Sequence, residues 1–168
     1  MNKFLFLLCC LSALGALPAA ATPGEIMEGK VLREAPMKGL SGNSRMLSDF
    51  RGKPLVINVW ASHCPPCLAE MGSLERLARR YDKKFTVIGI STDDYSDRAQ
   101  AFLQKSKTTF PHFIDQQLAL ENMLGADRIP LTLLIDADGK VLQKIYGARE
   151  WDSPDAVAAI AKAFKFKP

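Results

Sequence analysis

The segment Trp60-Ala61-Ser62-His63-Cys64-Pro65-Pro66-Cys67 puts two thiols three residues apart, where an apolar run gives way to a helical pattern. A cysteine at a helix N-terminus meets free backbone N–H groups and the positive end of the helix dipole. Both favour the thiolate, the form that attacks disulfides and binds metals. Pro65 and Pro66 cost little there, because first-turn N–H groups have no partner within the helix. The position makes Cys64 the expected attacking thiol, exposed at the cap. Cys67, about one turn in, is then the shielded resolving thiol, close enough to close a redox-active disulfide with Cys64.

Other uses of the pair have to be set beside that one. A purely structural disulfide over so short a loop restrains the unfolded chain very little. Structural zinc wants four ligands, and His63 and His112 are the only histidines to add. Covalent haem attachment needs histidine directly after the second cysteine, where Leu68 stands. A peroxide-reducing cysteine of the peroxiredoxin type would carry threonine three residues ahead of it, and that position is Ala61. Thiol–disulfide exchange is the reading that remains, with no metal and no cofactor expected. The alternatives left open are an oxidase or isomerase, or a non-catalytic metal carrier or chaperone using the same two thiols.

The elements that would position the pair are legible around it. Leu55 to Trp60, Thr86 to Ser91 and Leu131 to Ile135 are short apolar runs of the kind found in strands buried on both faces. From Pro65 to Tyr81, Leu68, Met71, Leu74, Leu77, Ala78 and Tyr81 recur at spacings of three and four, with Glu70, Glu75, Arg76, Arg79 and Arg80 between them, an amphipathic helix. Further helices are expected over Ser96–Lys105 and Leu118–Leu124. Asp136-Ala137-Asp138-Gly139 reads as a turn joining Leu131–Ile135 to Val141–Tyr146 in an antiparallel hairpin. Ser153-Pro154-Asp155 supplies a cap, a first-turn proline and an acid for a closing helix. The order predicts an α/β fold, a mixed sheet flanked by helices, with residues 22–53 as an N-terminal arm containing a small hairpin.

The first 21 residues are of another kind. Lys3 is their only charge, Phe4 to Leu17 is almost wholly apolar, and Ala19-Ala20-Ala21 follows Pro18 as a small-residue cleavage pattern. This predicts a secretory signal peptide over 1–21 that takes Cys9 and Cys10 with it, a mature domain over 22–168, and a soluble protein in the periplasm or another extracytoplasmic compartment. An uncleaved anchor would need about 20 apolar residues and is the lesser alternative. A lone vicinal pair in an oxidising compartment is there for its reactivity. Without Lys3 the chain has 21 basic and 18 acidic residues, a net charge of +3 interspersed along the sequence, so nucleic acid is not an expected partner.

Arg51-Gly52-Lys53-Pro54, Val59-Trp60-Ala61-Ser62, Cys64-Pro65-Pro66-Cys67 and Glu70-Met71 together resemble the TlpA/ResA-type branch of the thioredoxin superfamily. Ile129-Pro130-Leu131-Thr132 and Ile135-Asp136-Ala137-Asp138-Gly139-Lys140 resemble that branch's second signature. The likeness covers about residues 38–150. It implies a thioredoxin-like fold, an envelope location and usually a reducing role, such as keeping the haem-attachment cysteines of cytochrome c as thiols. It also implies protein disulfides or dithiols as substrates and a membrane-bound electron donor or acceptor; a monomer is expected. By the same resemblance Pro130 is a cis-proline facing the dithiol, the Ile129 backbone holds a substrate strand, and Trp60 helps to shape the platform.

Three positions depart from the pattern or stand out within it. Thioredoxin's buried aspartate is replaced by Asn58, which cannot take a proton. The resemblance places a functional acid at Glu70, one turn beyond Cys67, against the alternative of a solvated residue on the polar helix face. Gly72 stands where relatives carry proline, and it permits a bend that proline would force. His63 replaces an aromatic residue before the first cysteine; it serves either as a cation favouring the thiolate or as an exposed spectator. His112 is expected to be a strand or loop residue without a catalytic part.

Overall fold

The computed structural model describes residues 24–168, so the expected signal segment lies outside the described residues. The strands are β1 (Pro36–Gly39), β2 (Arg45–Met46), β3 (Leu55–Trp60), β4 (Thr86–Ser91), β5 (His112–Ile114), β6 (Leu131–Ile135) and β7 (Val141–Tyr146). The helices are α1 (Pro65–Arg80), α2 (Ser96–Ser106), α3 (Ala119–Leu124) and α4 (Pro154–Phe164), with a 3-10 turn at Leu47–Phe50. One seven-stranded sheet runs in the order β2-β1-β5-β4-β3-β6-β7. Strands β3, β4 and β5 are mutually parallel and every other pairing is antiparallel. The three apolar runs and the hairpin form as the sequence predicts, and α1 is unbroken at Gly72. The parallel part has a third strand, β5, through which the arm's hairpin joins the main sheet.

Strand alternation assigns the layers. Leu55, Ile57 and Val59 point to one face with Leu131, Leu133 and Ile135, covered by α3 and by the arm through Ile26, Leu32, Leu47 and Phe50. Val56 and Trp60 point to the other face with Leu134, covered by Met71, Leu74 and Leu77 of α1, Phe102 of α2 and Ile160 of α4. Fully burying each such side chain contributes about 1.5–3 kcal/mol, so the central strand is fixed from both sides. Asn58 falls by parity on the α1 face. Its register partners are Thr132 on β6 and Gly89 on β4, and Gly89 in turn pairs with His112 on β5. A Cβ on Gly89 would collide with the His112 ring and the Trp60 indole nitrogen, so only glycine lets these two rings meet over β4.

The hairpin turn closes as its composition predicts. Asp136 Oδ1 accepts from the backbone N–H of Asp138 and Lys140 at 3.0 and 2.9 Å, and Gly139 takes a φ of +85° that its lack of a Cβ permits. Ser153 caps α4, its Oγ accepting from Ala156 N–H at 3.3 Å. Among the described residues no helix is long and apolar enough to cross a membrane.

Candidate active site

Cys64 is the N-cap of α1 and is disulfide-bonded to Cys67, with their Cα atoms 5.3 Å apart. Proline at both of the next two positions removes the first two amides of the helix. Leu68 N–H returns to Cys64 O at 3.2 Å, so Cys67 N–H is the first-turn amide left to face the sulfur. It donates to Cys64 Sγ at 3.2 Å. The dipole and this one amide are what the helix offers a Cys64 thiolate. Cys64 is 6% exposed and Cys67 0%. The expected order of accessibility stands, but Cys64 is not the freely exposed thiol anticipated, because it packs into the same apolar cluster as Cys67.

Glu70 decides between its two readings by geometry: it is 1% exposed. It lies three residues beyond Cys67 on α1, a spacing that makes side chains neighbours on one helix face. Oε1 accepts from Asn58 Nδ2 at 2.8 Å, and Oε2 accepts from Trp151 Nε1 at 2.8 Å and from Arg149 N–H at 3.1 Å. Burial pushes the carboxyl above its ordinary range, against these three donors and the Arg149 charge, which pull it down. Asn58 Nδ2 also donates to Thr132 Oγ1 at 3.0 Å, so the residue in place of an aspartate ties the acid to β6.

Trp60 corrects an expectation. It is fully buried and stacks on Phe102 with ring centroids 4.3 Å apart, so it supports the site from beneath and offers no surface to a substrate. It follows Val56 and Asn58 on the inward face, which no surface platform could share. His63 is the opposite, with its side chain 79% exposed and Nδ1 4.0 Å from Asp93 Oδ1. Ile129–Pro130 is a cis peptide bond leading into β6, and Ile129 packs against the cluster that contains both cysteines. His112 is a buried strand residue; burial pushes its imidazole down to about 3. Its Nε2 meets Thr108 Oγ1 at 3.0 Å.

Sequence reasoning missed the residues that hold the acid. Trp151 is anchored twice, its backbone N–H donating to Ser73 Oγ at 3.0 Å and its indole to Glu70. Arg76 clamps the same loop to α1 through Glu150 and Asp152, each at 2.5 Å. Asp93 was also missed; it binds the turn ahead of Cys64.

A mixed sheet with an N-capping dithiol beside a buried acid defines a thioredoxin-like thiol–disulfide oxidoreductase. The chain belongs to the Redoxin family, whose match spans residues 18–160. It is 31% identical over 120 residues to the thiol-disulfide oxidoreductase ResA of Geobacillus thermodenitrificans, covering 71% of this chain and 69% of that one. It is 32% identical over 124 residues to the thioredoxin-like protein YneN of Bacillus subtilis, covering 72% of each. Among solved structures, the Chlorobium tepidum protein assigned as a thiol:disulfide interchange protein DsbE matches with a TM-score of 0.77 at 26% identity, over 83% of this chain and 99% of that one. The resemblance read from the two motifs therefore holds.

Proposed function

We propose that this protein is an extracytoplasmic reductant of protein disulfides, exported by residues 1–21 and soluble as the mature domain 22–168. The Cys64 thiolate attacks one sulfur of a substrate disulfide, forming a mixed disulfide and releasing the other sulfur as a thiolate. Cys67 then gives its proton to the Glu70 carboxylate and attacks Cys64 Sγ, which closes the Cys64–Cys67 disulfide and frees the second substrate sulfur. Two electrons have passed to the substrate, and Glu70 returns its proton to a departing thiolate. Ile129 and Pro130 hold the substrate strand, and His63 lies at its border. A membrane-bound dithiol donor restores the reduced pair, and the haem-attachment cysteines of apocytochrome c are the substrate class proposed.

The observation that carries the reading is a Cys64 sulfur given one amide of the first turn, beside an acid that burial holds ready to take a proton. A dithiol is strongly oxidising when its reduced form is well stabilised, as in DsbA at about −120 mV; a sparsely stabilised thiolate belongs nearer thioredoxin at about −270 mV. Equilibration with glutathione tests the direction, and Cys67→Ser should trap mixed disulfides through Cys64. A potential near the DsbA value would make the protein an oxidant and overturn the proposal.

A further inference from the structure

The loop that follows β4 carries a carboxylate with no part in the scheme above. Asp93 is 4% exposed. Its Oδ1 accepts from Ser62 Oγ at 2.6 Å, and Ser62 N–H is shared between Oδ1 at 3.1 Å and Oδ2 at 2.9 Å. Oδ2 also accepts from Ser91 Oγ at 2.7 Å, and Asp93 N–H donates back to that hydroxyl at 3.1 Å. Every one of these donors is neutral. Among the described residues His63 is the one basic side chain within 4.0 Å, and it stands in solvent.

Ser62 and His63 are the two residues that lead into Cys64. The turn they form is closed on its own side by Cys64 N–H donating to Ala61 O at 3.2 Å. Its other side is held from the loop after β4: Thr92 N–H donates to Trp60 O at 2.9 Å, and Asp93 grips Ser62. A neutral acceptor could serve as a clamp. A buried carboxylate without a buried cation carries a desolvation cost that a clamp alone does not need.

We infer that Asp93 is a positioning residue for the dithiol, one that fixes the turn presenting Cys64 and sets its carboxylate against Ser62, two residues before that sulfur, so that the pair is held toward the disulfide and acts as a stronger reductant. The carboxylate works against the helix dipole: an anion near the turn disfavours a thiolate there, and a reduced form so disfavoured gives up its electrons more readily. This deepens the proposed function and rests on exchange proceeding through Cys64.

The test compares the full mature chain with Asp93→Asn, Asp93→Glu and Ser91→Ala, reading the pH profile of Cys64 alkylation by iodoacetamide and the equilibrium with glutathione. Asp93→Asn keeps an acceptor and removes the charge. Its alkylation midpoint should fall by about one pH unit, and its glutathione equilibrium should move about tenfold toward the dithiol. Asp93→Glu should stay with the parent. Ser91→Ala removes a donor and leaves the charge less compensated, so its midpoint should rise; this arm reports even if Asp93→Asn does not fold. Coincident profiles for parent and Asp93→Asn, or an unmoved or lowered midpoint in Ser91→Ala, overturn the role of Asp93 while leaving the exchange scheme intact. Labelling of Cys67 before Cys64 in the parent would instead overturn the scheme, and this role with it.

Discussion

His112 offers a stability test whose size follows from its surroundings. The imidazole is buried between the Phe110 ring, 4.4 Å away, and the edge of Trp60, 5.6 Å away, and burial lowers its pKa from 6.5 to about 3. A histidine held neutral in the fold protonates more easily once unfolded. Between pH 6.5 and about 3 the unfolded state therefore binds the extra proton, so stability is complete above 6.5 and is lost as the pH falls through that window. The slope is about 1.4 kcal/mol per pH unit, which makes the loss about 3 kcal/mol by pH 4. His112→Phe keeps a ring in the site, removes the titration and forfeits the Thr108 bond, at a cost of about 1 kcal/mol. The variant should be the less stable protein at pH 7 and the more stable by about 2 kcal/mol at pH 4, the curves crossing near pH 6. Urea denaturation of the oxidised forms measures both, and titrations common to the two proteins cancel in the difference. Parallel curves from pH 7 to pH 4 would refute the argument, since they would mean the imidazole takes its proton inside the fold.

Glu70→Gln keeps the shape and removes the proton acceptor, so the pH–rate profile of disulfide reduction should slow and lose the inflection that the raised carboxyl contributes; superimposable profiles would make Glu70 a spectator. Trp151→Phe removes a donor that pulls the same carboxyl down, so that inflection should move to higher pH while Glu70→Gln/Trp151→Phe shows no further shift. Ser153→Ala removes the cap of α4 and should cost about 1 kcal/mol in denaturant titration without altering exchange.

What could be read in advance was what lies close together in the chain. The dithiol, its 16-residue helix and the turn at Asp136–Gly139 announce themselves within short windows, where period and turn chemistry act locally. Strand β5 did not, because three residues after Pro111 carry too little pattern to separate a strand from a loop. Strand β1 begins at Pro36 and ends at Gly39, both poor strand formers, and exists because β5 offers it a partner. Trp60 was placed in a buried strand yet given a share in the substrate platform, although counting alternate residues from Val56 puts it on the inward face. The grip of Trp151 on Glu70 spans 81 residues and that of Asp93 on Ser62 spans 31, and no local rule links such positions.

The arm is stitched to the far end of the chain. Ile26 N–H donates to Met123 O, Gly29 N–H to Val141 O and Leu32 N–H to Gly139 O, while Val141 N–H returns to Lys30 O. Closing contacts across so much chain carries a large entropy of loop closure and belongs to slow folding. A polypeptide that crosses a membrane N-terminus first brings the arm out early and the β6–β7 hairpin late. Until Val141 has emerged, the bonds it makes with Gly29 and Lys30 cannot close. In the export proposed above, the topology postpones this last seal between the arm and the sheet until the β6–β7 hairpin has arrived, which suits threading through a narrow channel.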